Sequence, residues 1–387
     1  MKKETTIMSL AVLALAFMGL LTVYSVDAVS FTGENNFTKH VVYLLIGLAA
    51  FVALSQTDYH ALGDHRWFKW IIISAVVLLL LVIIPGIGHE AGGARRWLRL
   101  FGQSFQPSEY AKLALVVLLA VKLTQNHNNI ESLVKGLAPP ALIAVVFSGL
   151  VGLERDIGIP AVMLTTAFVM IFVAGMRWFY LGLAAVGGVG LLVAGVVFAP
   201  HRMGRILALI DPWAYRQGIG WQLIQSLSAF AQGGLLGRGA GAGEQKLGYL
   251  PAAHTDFIFA TIGEELGLAG TTAVLLLFVL FTWAAIRVAV NSTDMFGALL
   301  ATGITVLISF QGAFIMAVNV GILPTKGLPL PFVSYGGTAL VMFMAMAGIL
   351  VSIGSHARAN APAARVHIVS MDRRRRARNA VPVAGGE

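Results

Sequence analysis

Apolar runs long enough to cross a bilayer as helices, about 20 residues each, recur from one end of this chain to the other. They fall at 7–26, 39–55, 68–84, 107–124, 137–153, 157–175, 178–198, 257–287, 296–320 and 337–354. A soluble domain carries roughly 25% charged residues, whereas this chain carries 12% and is 57% hydrophobic. Its 387 residues therefore read as one continuous membrane domain over 1–356 and not as a string of soluble units. The expected fold is all-α and polytopic, with about ten transmembrane helices and a large extracytoplasmic loop, 199–256, between the seventh and eighth.

Charge orients the bundle. Lys2 and Lys3 precede the first run, which is too long for a cleaved leader and lacks a clear small-residue cleavage site. An even number of crossings puts both termini on one side, and Lys2, Lys3 and the arginines of the tail 357–387 choose the cytoplasm. That tail, with Arg373, Arg374, Arg375, Arg376 and Arg378, reads as a disordered segment touching anionic lipid, not nucleic acid. Cysteine is absent, which excludes disulfides, thiolate metal sites and cysteine nucleophiles.

Three segments keep positive charge on the outer side, against the usual bias. They are 85–106 with Arg95, Arg96 and Arg99, the stretch 199–256 with Arg202, Arg205, Arg216, Arg238 and Lys246, and the turn at Lys326. Each arginine alone is explained by hydration. Three clusters on one face point to an anionic ligand, because a shared field attracts phosphates. Within the long loop, the apolar spacing of Trp221, Leu223, Ile224, Leu227 and Phe230 predicts a helix lying on the membrane surface. The glycine-rich run 233–243 has no preceding strand and so is no dinucleotide loop; it is expected to be flexible backbone, with amides available to a phosphate. Pro324, Pro329 and Pro331 forbid a helix over 323–331. Non-helical backbone at membrane depth must be covered by protein or line a watery cavity, so this turn is expected to pack beside the loop ending at Asp256.

Asp256 is the leading candidate for chemistry, since a carboxylate at the mouth of a membrane helix is costly unless it is paired, hydrated or used. Glu264 lies about 12 Å farther along a helix, beyond the reach of a second catalytic carboxylate, and is assigned to packing or a hydrogen-bond network. Glu109 and Lys112 stand three apart at the head of a span and so share a helix face. An ion pair fixing helix packing, beside a cavity, is the favoured reading for them. Glu154-Arg155-Asp156 is read as a solvated outer turn. His254, with one nearby carboxylate, does not make a metal site; it is assigned a structural or substrate hydrogen bond, and no metal ligand is named.

Five motifs resemble one family over nearly the whole chain. They are Gly93-Ala94-Arg95-Arg96-Trp97-Leu98, Gln106-Pro107-Ser108-Glu109-Tyr110-Ala111-Lys112, the loop from Gln245-Lys246 to His254-Thr255-Asp256-Phe257-Ile258-Phe259-Ala260, Gly263-Glu264-Glu265-Leu266-Gly267, and Pro331-Phe332-Val333-Ser334-Tyr335-Gly336-Gly337. Together they are similar to those of the SEDS family of bacterial membrane peptidoglycan polymerases. Pro324-Thr325-Lys326-Gly327 looks like the division branch and Gly327-Leu328-Pro329-Leu330-Pro331 like the elongation branch; division is taken first. The resemblance implies an inverting glycosyltransferase that polymerises lipid II outside the bacterial cytoplasmic membrane, at the division septum. The family's essential loop aspartate falls on Asp256, as general base toward the acceptor sugar. Arg95, Arg96, Lys246 and Lys326 are assigned to the departing pyrophosphate, as guanidinium and ammonium groups suit phosphate oxygens. His254 and Ser334 are counted with the substrate-binding residues. Ala252 stands where many relatives have a glutamate. No cofactor is required by the sequence, and a divalent cation (Mg or Mn) is compatible with the chemistry. The implied partners are lipid II, a class B penicillin-binding transpeptidase and other divisome proteins, with no nucleic acid. A lipid II flippase and a scaffold for a partner synthase stay open beside the enzyme.

Overall fold

A computed structural model describes residues 2–29, 35–91, 94–100, 103–154, 157–197 and 200–356. Every one of the ten apolar runs lies on a helix: α1 (Lys2–Asp27), α2 (Asn36–Gln56), α3 (His65–Ile83), α4 (Pro107–Gln125), α5 (Ala138–Gly152), α6 (Gly158–Val173), α7 (Trp178–Val197), α10 (Ile258–Val290), α11 (Met295–Asn319) and α12 (Thr338–His356). Among the described residues, seven helical stretches are long and apolar enough to cross a membrane, and two shorter apolar helices join them. Two further helices, α8 (Pro200–Ile210) and α9 (Trp221–Gly233), lie between α7 and α10. The protein is a polytopic helical membrane protein, and its tail, with Arg155 and Asp156, lies outside the described residues.

Helix α4 runs through the centre. It is apolar almost all round, and its side chains from Pro107 to Leu119 are buried except Tyr110, as expected of a helix enclosed by others. Pro107 opens it where its missing N–H costs nothing. Asp294 opens α11 by accepting the Gly297 N–H at 2.7 Å. By contrast α2 and α3 show Leu45, Ile46, Trp70 and Ile73 outward, as lipid-facing helices do.

The helical class holds, with one addition: β1 (Gly88–Ala91), β2 (Ala94–Leu100) and β3 (Gln103–Phe105) form a small antiparallel sheet in the order β1-β2-β3. In β2 Leu98 is buried while Arg95 and Arg99 are exposed. Helix α9, expected to turn its apolar residues to a membrane surface, packs much of that face on protein. Its Leu223, Ile224, Ser226, Ala229 and Gly233 are buried, and it packs on α10 and α11. Gly233 allows this, since a Cβ there would stand 1.9 Å from the Gly263 carbonyl oxygen.

Candidate active site

The loop before α10 and the proline segment after α11 meet at one end of the bundle, as the prolines led us to expect. Three successive carbonyls of the first are held by the second and by the end of α11. The Tyr335 N–H donates to His254 O at 3.0 Å. The Ser334 hydroxyl donates to Thr255 O at 2.6 Å. The Asn319 amide donates to Asp256 O at 2.9 Å. Ala252 turns the chain into this stretch with φ +58, and its carbonyl accepts from Thr255 and Phe257 N–H groups. Buried Leu328, Leu330, Phe332 and Val333 fasten the proline segment from below, with Phe332 edge-on to Phe281 and Phe343.

With its backbone tethered, the half-buried Asp256 turns its carboxylate toward Gly327: a Cβ at Gly327 would stand 2.9 Å from Oδ2. Lys326, one residue earlier, lays its stem across the start of α6, where a Cβ at Gly158 would meet its Cε at 3.0 Å. Arg205 of α8 donates to Thr325 O at 2.9 Å. Arg96 of β2 donates to Glu154 O, next to α6, at 3.3 Å. One carboxylate and the basic residues Arg96, Arg205 and Lys326 are thus carried by segments that converge on this end of the bundle. Glu154, expected in a solvated turn, is 2% exposed. A cleft of about 120 Å³ beside the turn is lined by Val23, Asp27, Asn36, Lys246, Ala252 and His254 among others. The His254 ring packs on Tyr335, 5.5 Å between centroids.

Several assigned residues have other work. Arg95 lies on the exposed side of β2, 3.6 Å from Glu90. Lys246, expected at the pyrophosphate, is buried: its ammonium stands 2.6 Å from Glu265 Oε1 and also donates to Ser25 and to Gly241 O. A side chain whose donors are taken up inside the protein has none turned to a ligand, so the pyrophosphate assignment is corrected for Lys246. Ser334 is likewise spent on the backbone, accepting from Leu330 N–H while donating to Thr255 O. The glycine-rich run offers its amides to carboxylates of its own chain. Gly241 donates to Glu265, while Glu244 and Gln245 just after it donate to Glu264. The backbone of the run closes on α10 where Gly267, at φ +64, kinks that helix. Glu264 therefore does sit in a hydrogen-bond network, as expected of it.

The ion pair in α4 is real, with Lys112 Nζ 2.8 Å from Glu109 Oε2 and both side chains fully buried. Lys112 also donates to Gln311 Oε1 at 2.8 Å, and Gln311 donates in turn to Pro329 O at 2.9 Å. The pair is thereby linked to the segment facing Asp256. Arg205, Asn319, Gln311 and Gly327 were not singled out as site residues in the sequence. A signal existed for Gln311 and Asn319, which are polar residues inside an apolar run and so rarely idle.

Residues 5–359 match the model of a family described as cell cycle protein and named for FtsW, RodA and SpoVE. The chain is 38% identical to the probable peptidoglycan glycosyltransferase FtsW of Geobacter sp. (strain M18), covering 92% of this chain and 97% of that protein. It is 38% identical to stage V sporulation protein E of Bacillus subtilis (strain 168), covering 89% and 95%. Among solved structures, a chain from a study of polymerization and crosslinking by a peptidoglycan synthase complex superposes with a TM-score of 0.77 at 28% identity, covering 91% of this chain and 98% of that one. The rod shape determining protein RodA of Thermus thermophilus superposes with a TM-score of 0.68 at 26% identity, covering 90% and 96%.

Proposed function

The chain belongs to the cell cycle protein family of FtsW, RodA and SpoVE, and from that premise we propose that it is a peptidoglycan glycosyltransferase polymerising lipid II in septal wall synthesis. The observation that carries this reading is the presentation of Asp256: a carboxylate on a backbone held at three consecutive carbonyls, at the end of the bundle where Arg96, Arg205 and Lys326 also converge. In this reading Asp256 takes the proton from the GlcNAc 4-hydroxyl of the acceptor. The freed oxygen bonds to the anomeric carbon of the donor MurNAc from the face opposite the pyrophosphate. The carbon–oxygen bond to undecaprenyl pyrophosphate breaks with inversion, and the electron pair leaves with the phosphate.

Arg96, Arg205 and Lys326 would meet that developing charge, Arg205 taking the place first given to Lys246. Positive groups set in advance at a leaving group lower a barrier by several kcal/mol, about 3 for one lost donor in comparable sites. A divalent ion carried on the pyrophosphate is compatible with this arrangement. EDTA treatment of the purified protein, with Mg or Mn added back, measures its share. The active form is proposed to pair with a class B penicillin-binding transpeptidase and other divisome proteins, in the cytoplasmic membrane with both termini inside. The polymerization and crosslinking joined in the complex described for one structural neighbour support a transpeptidase partner.

Lipid II polymerisation by the purified protein with its transpeptidase partner tests the reading. Asp256→Asn is expected to make no glycan strands while accumulating and folding as the parent does. Strands made by that variant at the parent's rate would remove Asp256 as the base. The flippase reading draws on Glu109 and Lys112, but that pair is engaged by Gln311 and through it supports the proline segment.

A further inference from the structure

Asn319 occupies the last position of α11 and is completely buried. Its side chain uses both ends. Oδ1 accepts the Ala260 N–H, near the start of α10, at 3.1 Å, and that N–H is shared with the N-cap carbonyl of Phe257 at 3.0 Å. Nδ2 donates to Ile315 O at 3.0 Å and to Asp256 O at 2.9 Å. One planar amide therefore fixes the start of α10 and the peptide of Asp256 relative to each other. Its own carbonyl, on the other side, accepts the Ser226 hydroxyl of α9 at 2.7 Å.

An aspartate side chain is short and has three staggered χ1 wells, so the position of its peptide bounds where its carboxylate can reach. The amide of Asn319 holds that peptide where the carboxylate reaches Gly327. We propose that Asn319 is a positioning residue for polymerisation, acting through the main chain of Asp256 without touching substrate. The inference rests on the reading of Asp256 as the base.

Asn319→Asp tests this role. It keeps an acceptor for Ala260 N–H but removes the donor to Asp256 O, and with it the one to Ile315 O, and sets oxygen against oxygen. Misplacing a reacting group by about 1 Å costs up to 100-fold. In the full-length protein with its transpeptidase partner, kcat for lipid II polymerisation is expected to fall about 10- to 100-fold, with KM changed less than about twofold. Ser226→Ala, which removes a buried hydrogen bond to the same residue on the side away from Asp256, supplies the control for stability. It is expected to lower the melting temperature and to leave kcat unchanged. The proposal is overturned if Asn319→Asp polymerises as the parent does, if Ser226→Ala loses kcat in parallel, or if the loss appears in KM. Where Asn319→Asp does not accumulate, Asn319→Ser is read in the same way, and failure of both to fold makes Asn319 a folding residue and overturns the proposal. Asp256→Asn runs beside them. Full activity there removes the base assignment itself, whereas an inactive Asp256→Asn beside an active Asn319→Asp removes only the role of Asn319.

Discussion

Asp256 and Gly327, 71 positions apart in the sequence, face each other so closely that a Cβ on Gly327 would stand 2.9 Å from Asp256 Oδ2 and would have to push it aside. The glycine is required by the carboxylate and not by its backbone angles, for Gly327 is not among the positive-φ glycines. Gly327→Ala is therefore expected to fold normally and to displace the carboxylate. Polymerisation should fall by about tenfold or more, a barrier increase of about 1.4 kcal/mol. Equal rates for Gly327→Ala and the parent in a lipid II assay would count against the site described here.

The two neighbouring arginines of β2 should separate cleanly. Arg95 meets Glu90 on the exposed side, and exposed pairs contribute about 0–1 kcal/mol. Arg95→Ala should leave polymerisation within about twofold. Arg96→Ala and Lys326→Met should each slow it by about 100- to 1,000-fold, on the scale of a lost preorganised donor. The comparison is made on kcat and KM for lipid II, and an Arg95 effect as large as that of Arg96 would reverse the assignment.

Lys246 and Glu265 should behave as a structural pair. Removing one partner of a buried ion pair leaves an uncompensated charge and costs about 3–5 kcal/mol, so Lys246→Met should lower the unfolding temperature in detergent markedly. Adding Glu265→Leu should restore part of that loss. If Lys246 instead served the substrate, Lys246→Met would lose activity with an unchanged melting curve.

Gln311→Leu should release Pro329 O and one donor contact of Lys112 together. A buried group left without its partner costs about 1–3 kcal/mol. The expected result is a lower melting temperature together with reduced polymerisation, because the proline segment also carries Lys326 and Gly327. Reduced stability with full activity would show that the ion pair in α4 is not coupled to the site.

The membrane class and the helices that carry the ten apolar runs were legible because each apolar run carries its own reason to be helical. The proline segment and Asp256 could be singled out for a similar local reason: three prolines in nine residues and a carboxylate at a helix mouth stand out from their neighbours. The sheet was missed because strands of three to seven residues, facing water on one side, leave little periodic signal. The partners of Lys246 and Arg205 were not legible for a different reason. Both are basic residues in the same outer stretch, and only their partners distinguish them. Glu265 and Ser25 enclose Lys246, while Arg205 reaches Thr325 beside Lys326.

What the sequence by itself determined is what depends on short-range physics: where helices form, where they cannot, and which ionisable groups are too costly to be accidental. The tertiary structure decided which of those groups are used up internally and which are presented. That division follows from distance. Hydrogen bonds and ion pairs act within about 3–4 Å, so Glu265 can bind Lys246 from the next helix, and Asn319 can hold Asp256 from 63 residues away, only once α9, α10 and α11 have packed together.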